Sequence, residues 1–325
     1  MLESQPPSKL PIGISSCLLG ERVRYDGGHK NNDYIVQSLG RYFEFSAFCP
    51  EMAIGLGVPR EPIRLVNEAD DIHCVGVKNS ALDVTAQLVK SADEQASWHN
   101  NICGYIFKKD SPSCGMERVK VYPKTSSKNG GQPLRHGVGI YAKRLMQNFP
   151  HLPTEEEGRL GDAGLRENFV QRVFIYHRWR TLRANKPAWH DLTTFHARHK
   201  LILMSHNQTL NRQLGHLLSQ STSTDIGDFL DIYIDKLTAL LKIVPTRKNH
   251  VNVLQHIQGY LKRHLDADDK EELTDTIHQY RAGMLPLIVP ITLLRHHFRK
   301  HPNEYIDQSW YLHPHPRELM LLNDL

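Results

Sequence analysis

Three cysteines stand where the backbone is about to turn. Cys17 closes the run GISSC, Cys49 closes FEFSAFC ahead of Pro50, and Cys114 sits in DSPSCG between Pro112 and Gly115. Each follows a short apolar stretch with the character of a β-strand, so each lies at or just past a strand's carboxyl end. In a parallel sheet those ends share one edge, the edge at which ligands bind. Thiols gathered there are metal ligands or ordinary loop residues, and their wide spacing, with no compact CxxC pattern, leaves both open. Three thiolates suit a cubane iron–sulfur cluster with one iron left open. Structural zinc takes four protein ligands, and no fourth stands out nearby. Cys74, inside IHCVGV, and Cys103, just before GYIFK, read instead as packing residues.

Polar residues keep company with the three thiols. Glu51 follows Cys49 in CPE, Asp26 lies in RYDGGHK after the first strand, and Ser111 and Ser113 flank Pro112 beside Cys114. A carboxylate and a hydroxyl next to an open iron can move protons or position water. The structural alternatives are an Asx turn for Asp26, a helix cap for Glu51 and a serine turn for Ser111. What favours chemistry is that all of them collect at the same strand ends.

The elements that must position these groups follow from hydrophobic spacing. Residues 10–16, 42–48, 72–77 and 104–108 read as strands, and 32–42, 81–102 and 137–150 as helices. Alternating strand and helix predicts a parallel sheet with crossover helices. The prolines, acidic run and glycines of 148–162 read as a linker. Beyond it, 165–183, 192–220, 226–244, 247–265 and 269–283 carry amphipathic helical periodicity and strand signals largely vanish. The expected fold is α/β: a Rossmann-like parallel-sheet domain over 1–153, then an all-α domain over 160–325.

Composition narrows the class. With 325 residues, 40% of them hydrophobic and 23% charged, the chain can bury two sizeable cores. No apolar stretch reaches the ~20 residues that span a bilayer; the longest, MLPLIVPITLL (284–294), carries two prolines. The start, MLESQPPSKLP, lacks the basic and apolar segments of a signal peptide, so a cytoplasmic protein is expected. Five cysteines, an odd number, argue against a disulfide framework. A net charge of +5 is too small to identify a nucleic-acid partner unaided.

The segments ISSCLLGERVRYDGGHK, CPEMAIGLGVPREPIRLV and KKDSPSCG resemble the thiouracil desulfidase family across roughly the first 150 residues. The second half, around FHARHKLILMSHN and HHFRKHPNEYIDQSWYLHPHP, looks like the YbgA-type domain. A fusion of the two resembles bacterial desulfidases that remove sulfur from 4-thiouridine in tRNA. The resemblance implies an oxygen-sensitive 4Fe–4S cluster held by Cys17, Cys49 and Cys114, with a free fourth iron that takes the substrate's sulfur. It implies a catalytic role for Glu51, two residues after the second ligand, and for Ser111 or Ser113 in SPSC.

The chemistry expected is hydrolytic. Water activated by Glu51 attacks C4 of the base, Ser111 relays a proton, and hydrosulfide leaves without net electron transfer. A base within folded tRNA must be turned outward, which calls for phosphate contacts beyond the base pocket. The helical half offers RWRTLR (178–183), PTRKNH (245–250) and LRHHFRKH (294–301), in which basic and aromatic residues alternate. On a helix such residues are also an ordinary solvated face. Two other functions remain open: the same reaction on free thiouracil or thionucleosides, and an iron–sulfur regulator that binds nucleic acid without turnover.

Overall fold

The computed structural model describes residues 9–68, 71–123, 132–220, 225–316 and Leu322. It divides into two compact units, Met1–Gly161 and Asp162–Leu325. In chain order the first holds β1 (Leu10–Ser15), β2 (Phe43–Phe48), α1 (Pro50–Ala53), β3 (Ile63–Glu68), β4 (Asp71–Gly76) and α2 (Thr85–Glu94). Then come α3 (Ala96–His99), β5 (Tyr105–Phe107), β6 (Val119–Pro123), β7 (Leu134–Gly137), α4 (Ile140–Asn148) and β8 (Thr154–Glu156).

Four strands form a wholly parallel sheet in the order β2-β1-β5-β8. The inner strands β1 and β5 are buried along most of their length, and their side chains form near-continuous apolar runs, as a sheet covered on both faces requires. Gly13 on β1 faces the Tyr105 ring so closely that a Cβ there would sit 2.4 Å from the ring. Its bare backbone is what lets Tyr105 lie across the strand.

The second sheet, β4-β3-β6-β7, is mixed and was not foreseen. The stretch 72–77, expected in the parallel sheet, pairs antiparallel with β3, with Glu68 opposite Asp71. So short a connection can only return antiparallel, because a parallel crossover needs a dozen or more residues. Cys74 packs in this sheet's core with Leu65, Leu88, Val119 and Val121, the packing role expected of it. Residues 34–41 form π and 3-10 turns in place of an α-helix, and the 81–102 helix is broken between α2 and α3. The 148–162 stretch is not merely a linker: β8 pairs with β5 and buries Glu155 and Glu156. Its acidic run disguised an edge strand.

The second unit is helical: α5 (Ala163–Ala184), α6 (Trp189–His206), α7 (Gln208–Ser219), α8 (Ile226–Leu241), α9 (Arg247–Leu261), α10 (Ala267–Arg281), α11 (Ile288–Lys300) and α12 (Glu304–Gln308). Short polar residues set the starts. Asp162, Asn207, Asp225, Thr246, Asp266 and Asn303 each accept a backbone N–H of their helix's first turn. Asn207 thereby splits the 192–220 stretch into two helices. Val173, Leu203, Leu237, Leu254, Ile257 and Leu294 are among the side chains of the buried core. Part of the MLPLIVPITLL run starts α11, and no described helix is long and apolar enough to cross a membrane.

Candidate active site

Sheet order brings the three foreseen thiols together. Because β2, β1 and β5 are adjacent and parallel, their carboxyl ends open on one edge. Cys17 lies in the 3-10 turn that follows β1, Cys49 is the N-cap of α1 directly after β2, and Cys114 lies in the loop after β5. All three line one cavity of about 390 Å³. They do not close on a single point. Among the described residues no three cysteine, histidine or carboxylate side chains gather tightly enough to hold one metal ion.

The DSPSCG loop is held by backbone contacts with the start of α4. Ile140 N–H donates to Pro112 O at 3.0 Å, Ala142 N–H to Ser113 O at 3.1 Å and Gly139 N–H to Gly115 O at 2.7 Å. A Cβ on Gly139 would meet backbone atoms of Ser113 and Gly115 at 2.6–2.7 Å, so only glycine permits this approach. Inside the loop, Ser111 Oγ accepts from Cys114 N–H at 3.1 Å and its carbonyl accepts from Gly115 N–H at 2.8 Å. These bonds make a serine turn, and Ser111 also lines the cavity.

Glu51 is gripped on both oxygens. Pro50 occupies the first position of α1, where its missing N–H costs nothing, and this places Glu51 one residue into the turn. Arg60 donates to Glu51 Oε2 from Nε at 3.0 Å and from Nη2 at 2.6 Å, with 5% and 14% of the two side chains exposed. Arg60 also donates to the carbonyls of Gly57 and Val23, each at 2.8 Å. The fully buried Ser113 donates to Glu51 Oε1 at 2.6 Å, and Ser111 Oγ lies 3.0 Å from Ser113 Oγ. With the Ser113 proton on Glu51, the Ser111 hydroxyl donates to Ser113. A directed chain of hydroxyls therefore runs from the cavity wall to the carboxylate.

Burial pushes the Cys17 thiol up to about 11, with Lys108 opposing and Cys49 adding to the rise. It raises Cys114 as well, with Cys49 adding again, and raises Cys49 against the opposing pull of the Met52 N–H. These thiols influence one another and are protonated at neutral pH unless positive charge joins them. The walls carry such charge. Arg24, Lys30, Lys108 and Lys109 border the cavity, and Lys108 pairs with Glu157.

Asp26 stands apart from this group. Its Oδ1 accepts from Gly28 N–H at 3.0 Å in an Asx turn, its carboxylate is exposed, and it is not among the cavity-lining residues. Arg60 and Lys108 went unrecognised in the sequence. A signal existed in each case: Arg60 lies in the same quoted segment as Glu51, and Lys108 begins KKDSPSC.

The basic segments of the helical unit largely serve its interior. Trp179 is buried and stacks on Tyr233 with ring centroids 5.5 Å apart. Arg247 donates to Tyr280 O at 2.6 Å, and Leu294, His297 and Phe298 are buried. The aromatic residues expected to stack on bases are mostly core residues.

The 2-thiouracil desulfurase family profile matches residues 12–157. The uncharacterized protein YbbK of Bacillus subtilis (strain 168) is 32% identical over 152 residues, 45% of this chain and 96% of its own length. The chain belongs to the 2-thiouracil desulfurase family. Its first unit is a desulfidase, an enzyme that takes sulfur from a thiolated nucleobase. A solved structure described as a [4Fe-4S]-dependent thiouracil desulfidase, TudS, is 30% identical, covering 49% of this chain and 97% of its own, with a TM-score of 0.38. Residues 200–316 match a second profile, described as a protein of unknown function (DUF1722). The uncharacterized protein YbgA of Escherichia coli (strain K12) is 28% identical over 151 residues, 46% of this chain and 89% of its own. This 2-thiouracil desulfurase family member thus joins two modules that each have relatives of their own.

Proposed function

We propose that the protein converts 4-thiouridine in tRNA to uridine and hydrosulfide without net redox change, using a 4Fe–4S cluster held by Cys17, Cys49 and Cys114. The observation that carries this reading is the convergence of three thiols, from three neighbouring parallel strands, on the cavity that also holds Glu51. The donor set suits a cluster. Cys17, Cys49 and Cys114 line one cavity, and each would hold one iron of a cluster. A tetrahedral zinc site would gather four donors about one centre. When bound, the cluster supplies an open iron corner, a Lewis acid suited to a soft thiocarbonyl sulfur.

The protein's own residues supply the rest. Glu51, oriented by Arg60 and Ser113, takes a proton from the water that attacks C4 of the base. The new C4–O bond forms as the C=S pair moves onto sulfur. Collapse then breaks the C4–S bond, and sulfur departs as hydrosulfide. Once Glu51 holds the water's proton, the two hydroxyls turn about, so that Glu51 donates to Ser113 and Ser113 to Ser111, and a proton passes to the base or the leaving sulfur on the cavity side. Thiocarbonyl plus water gives carbonyl plus hydrogen sulfide, so no electrons are left over. Arg24, Lys30 and Lys109 at the same cavity favour a substrate with a phosphate backbone, and tRNA places the reaction in the cytoplasm.

The test is anaerobic cluster loading, iron and sulfide analysis, and incubation with thiolated tRNA while uridine and sulfide are followed. Turnover of free 4-thiouridine with thiolated tRNA untouched would overturn the tRNA assignment. Full turnover by a cluster-loaded Glu51→Gln variant would overturn the role of Glu51. A second reading, desulfuration of free thiouracil or thionucleosides, has the cavity in its favour, since about 390 Å³ lies within the usual ~300–1,000 Å³ of small-molecule sites.

A further inference from the structure

A cavity of about 520 Å³ in the helical unit lies between α5 and α6, with Trp310 in its wall. Its walls are rich in nitrogen bases: Arg178, Arg198, His177, His190 and His199. One carboxylate joins them, Asp191, whose Oδ2 accepts from Ala188 N–H at 2.8 Å.

Arg178 is the unusual member. Its guanidinium sits over the Trp310 ring, with the central carbon 3.7 Å from the ring centroid, and Nη2 donates to Pro314 O at 2.7 Å. Nη1 is buried without a hydrogen-bond partner. Burial alone draws this guanidinium down to about 9, and no carboxylate among the described residues offsets its charge. A buried cation is costly unless an anion joins it. The aromatic face beneath it stabilises the charge only in part.

His199 adds a second requirement. Its Nδ1 lies 2.7 Å from Phe195 O, and a carbonyl only accepts, so Nδ1 carries the proton. The ring is buried and neutral, held down to about 3 by burial first and by the Arg178 charge second. Its Nε2 therefore presents a lone pair, and no group of the described protein donates to it. The cavity asks for negative charge near Arg178 and for a hydrogen-bond donor near His199. Both orphan atoms are buried, so direct contact takes a side-chain rotation; the uncompensated charge acts through the wall without one.

We propose that this cavity is a nucleotide-binding site of the helical unit, taking a ribose phosphate with its phosphate towards Arg178 and Arg198 and a sugar hydroxyl towards His199. A nucleoside phosphate combines an anion, hydroxyl donors and a flat ring in one ligand, and the cavity volume accommodates one such unit. The site lies outside the desulfidase unit and deepens the tRNA reading. It rests on that reading for the biological source of the nucleotide, not for the chemistry of binding. That chemistry is shared by a free mononucleotide and by a nucleotide within an RNA chain.

The test is calorimetric titration of the full-length protein with uridine 5′-monophosphate, uridine and a short oligouridylate. The monophosphate or the oligouridylate should bind, and uridine should bind at least about tenfold more weakly, the worth of one charge-assisted contact. Arg178→Gln should weaken binding by at least tenfold. Because Arg178 also packs on Trp310, the exposed wall residues provide variants that keep the fold: Arg198→Gln and Asn185→Glu should each weaken it several-fold. Monophosphate binding that responds to these substitutions identifies a free nucleotide as ligand; a response confined to the oligouridylate identifies RNA. Uridine binding as tightly as its phosphate, or binding unaltered in both wall variants, would overturn the proposal. Turnover of thiolated tRNA by the unaltered protein is a separate measurement. Its absence would remove the tRNA reading and leave the nucleotide site standing.

Discussion

Replacing Arg60 by methionine strips Glu51 of the two hydrogen bonds to Oε2 and frees the carbonyls of Gly57 and Val23. Removing one partner of a buried ion pair costs about 3–5 kcal/mol, because the remaining charge is left without compensation. Here Ser113 still donates to Oε1 and 14% of the Glu51 side chain still meets water, which puts the variant at about 3 kcal/mol, near the low end. Two units make a single unfolding free energy ill-defined, so the measurement is hydrogen–deuterium exchange of peptides spanning β1, β2 and α1. At about 1.4 kcal/mol per tenfold, exchange from globally protected amides should accelerate about a hundredfold. Pairing Arg60→Met with Glu51→Leu removes the orphaned charge and should recover most of that loss. Two results would refute the reasoning: exchange in Arg60→Met within about threefold of wild type, or a double variant that exchanges as fast as Arg60→Met alone.

Alanine at Cys17, Cys49 or Cys114 should abolish iron binding and turnover, whereas Cys74→Ala and Cys103→Ala should keep both and lose only about 1 kcal/mol of stability; iron analysis with a turnover assay separates the two groups. Ser113→Ala breaks the hydroxyl chain to Glu51 and should slow turnover about tenfold to a hundredfold at full cluster content, and an unchanged rate would remove the chain from the mechanism. Gly139→Ala drives a Cβ into backbone atoms of Ser113 and Gly115, so it should cost about 1–3 kcal/mol and lower cluster retention, both visible in thermal melts and iron content. Burial holds His196 and His206 down to about 4 and His250 to about 3 in the helical unit. The unfolded chain takes up these protons near pH 6.5 and the folded unit does not, so their contribution is full above about 6.5 and lost as pH falls towards 4. The urea midpoint of the helical circular dichroism signal should drop across that window, and a flat midpoint would contradict it.

The sequence by itself determined the α/β first half, the helical second half and the group of residues at the strand ends. Apolar runs that each end in cysteine have one geometric consequence once the strands lie parallel, because side-chain periodicity and strand direction are local properties. Position at strand ends separated Cys17, Cys49 and Cys114 from Cys74 and Cys103, and motif resemblance agreed with that division. Only the tertiary structure decided what depends on distant partners. Asp71–Gly76 entered a second sheet because its link to β3 is too short for a parallel return. Thr154–Glu156 became a strand because β5 offered a free edge, despite an acidic sequence that reads as linker. Arg60 became the clamp on Glu51 because the chain folds back nine residues later, a distance that no periodicity encodes. Arg178, which in sequence is one of several basic residues on a helix, is buried against Trp310 from the far end of the chain. Composition gives the number of charges; only packing decides which of them is buried without a counter-ion.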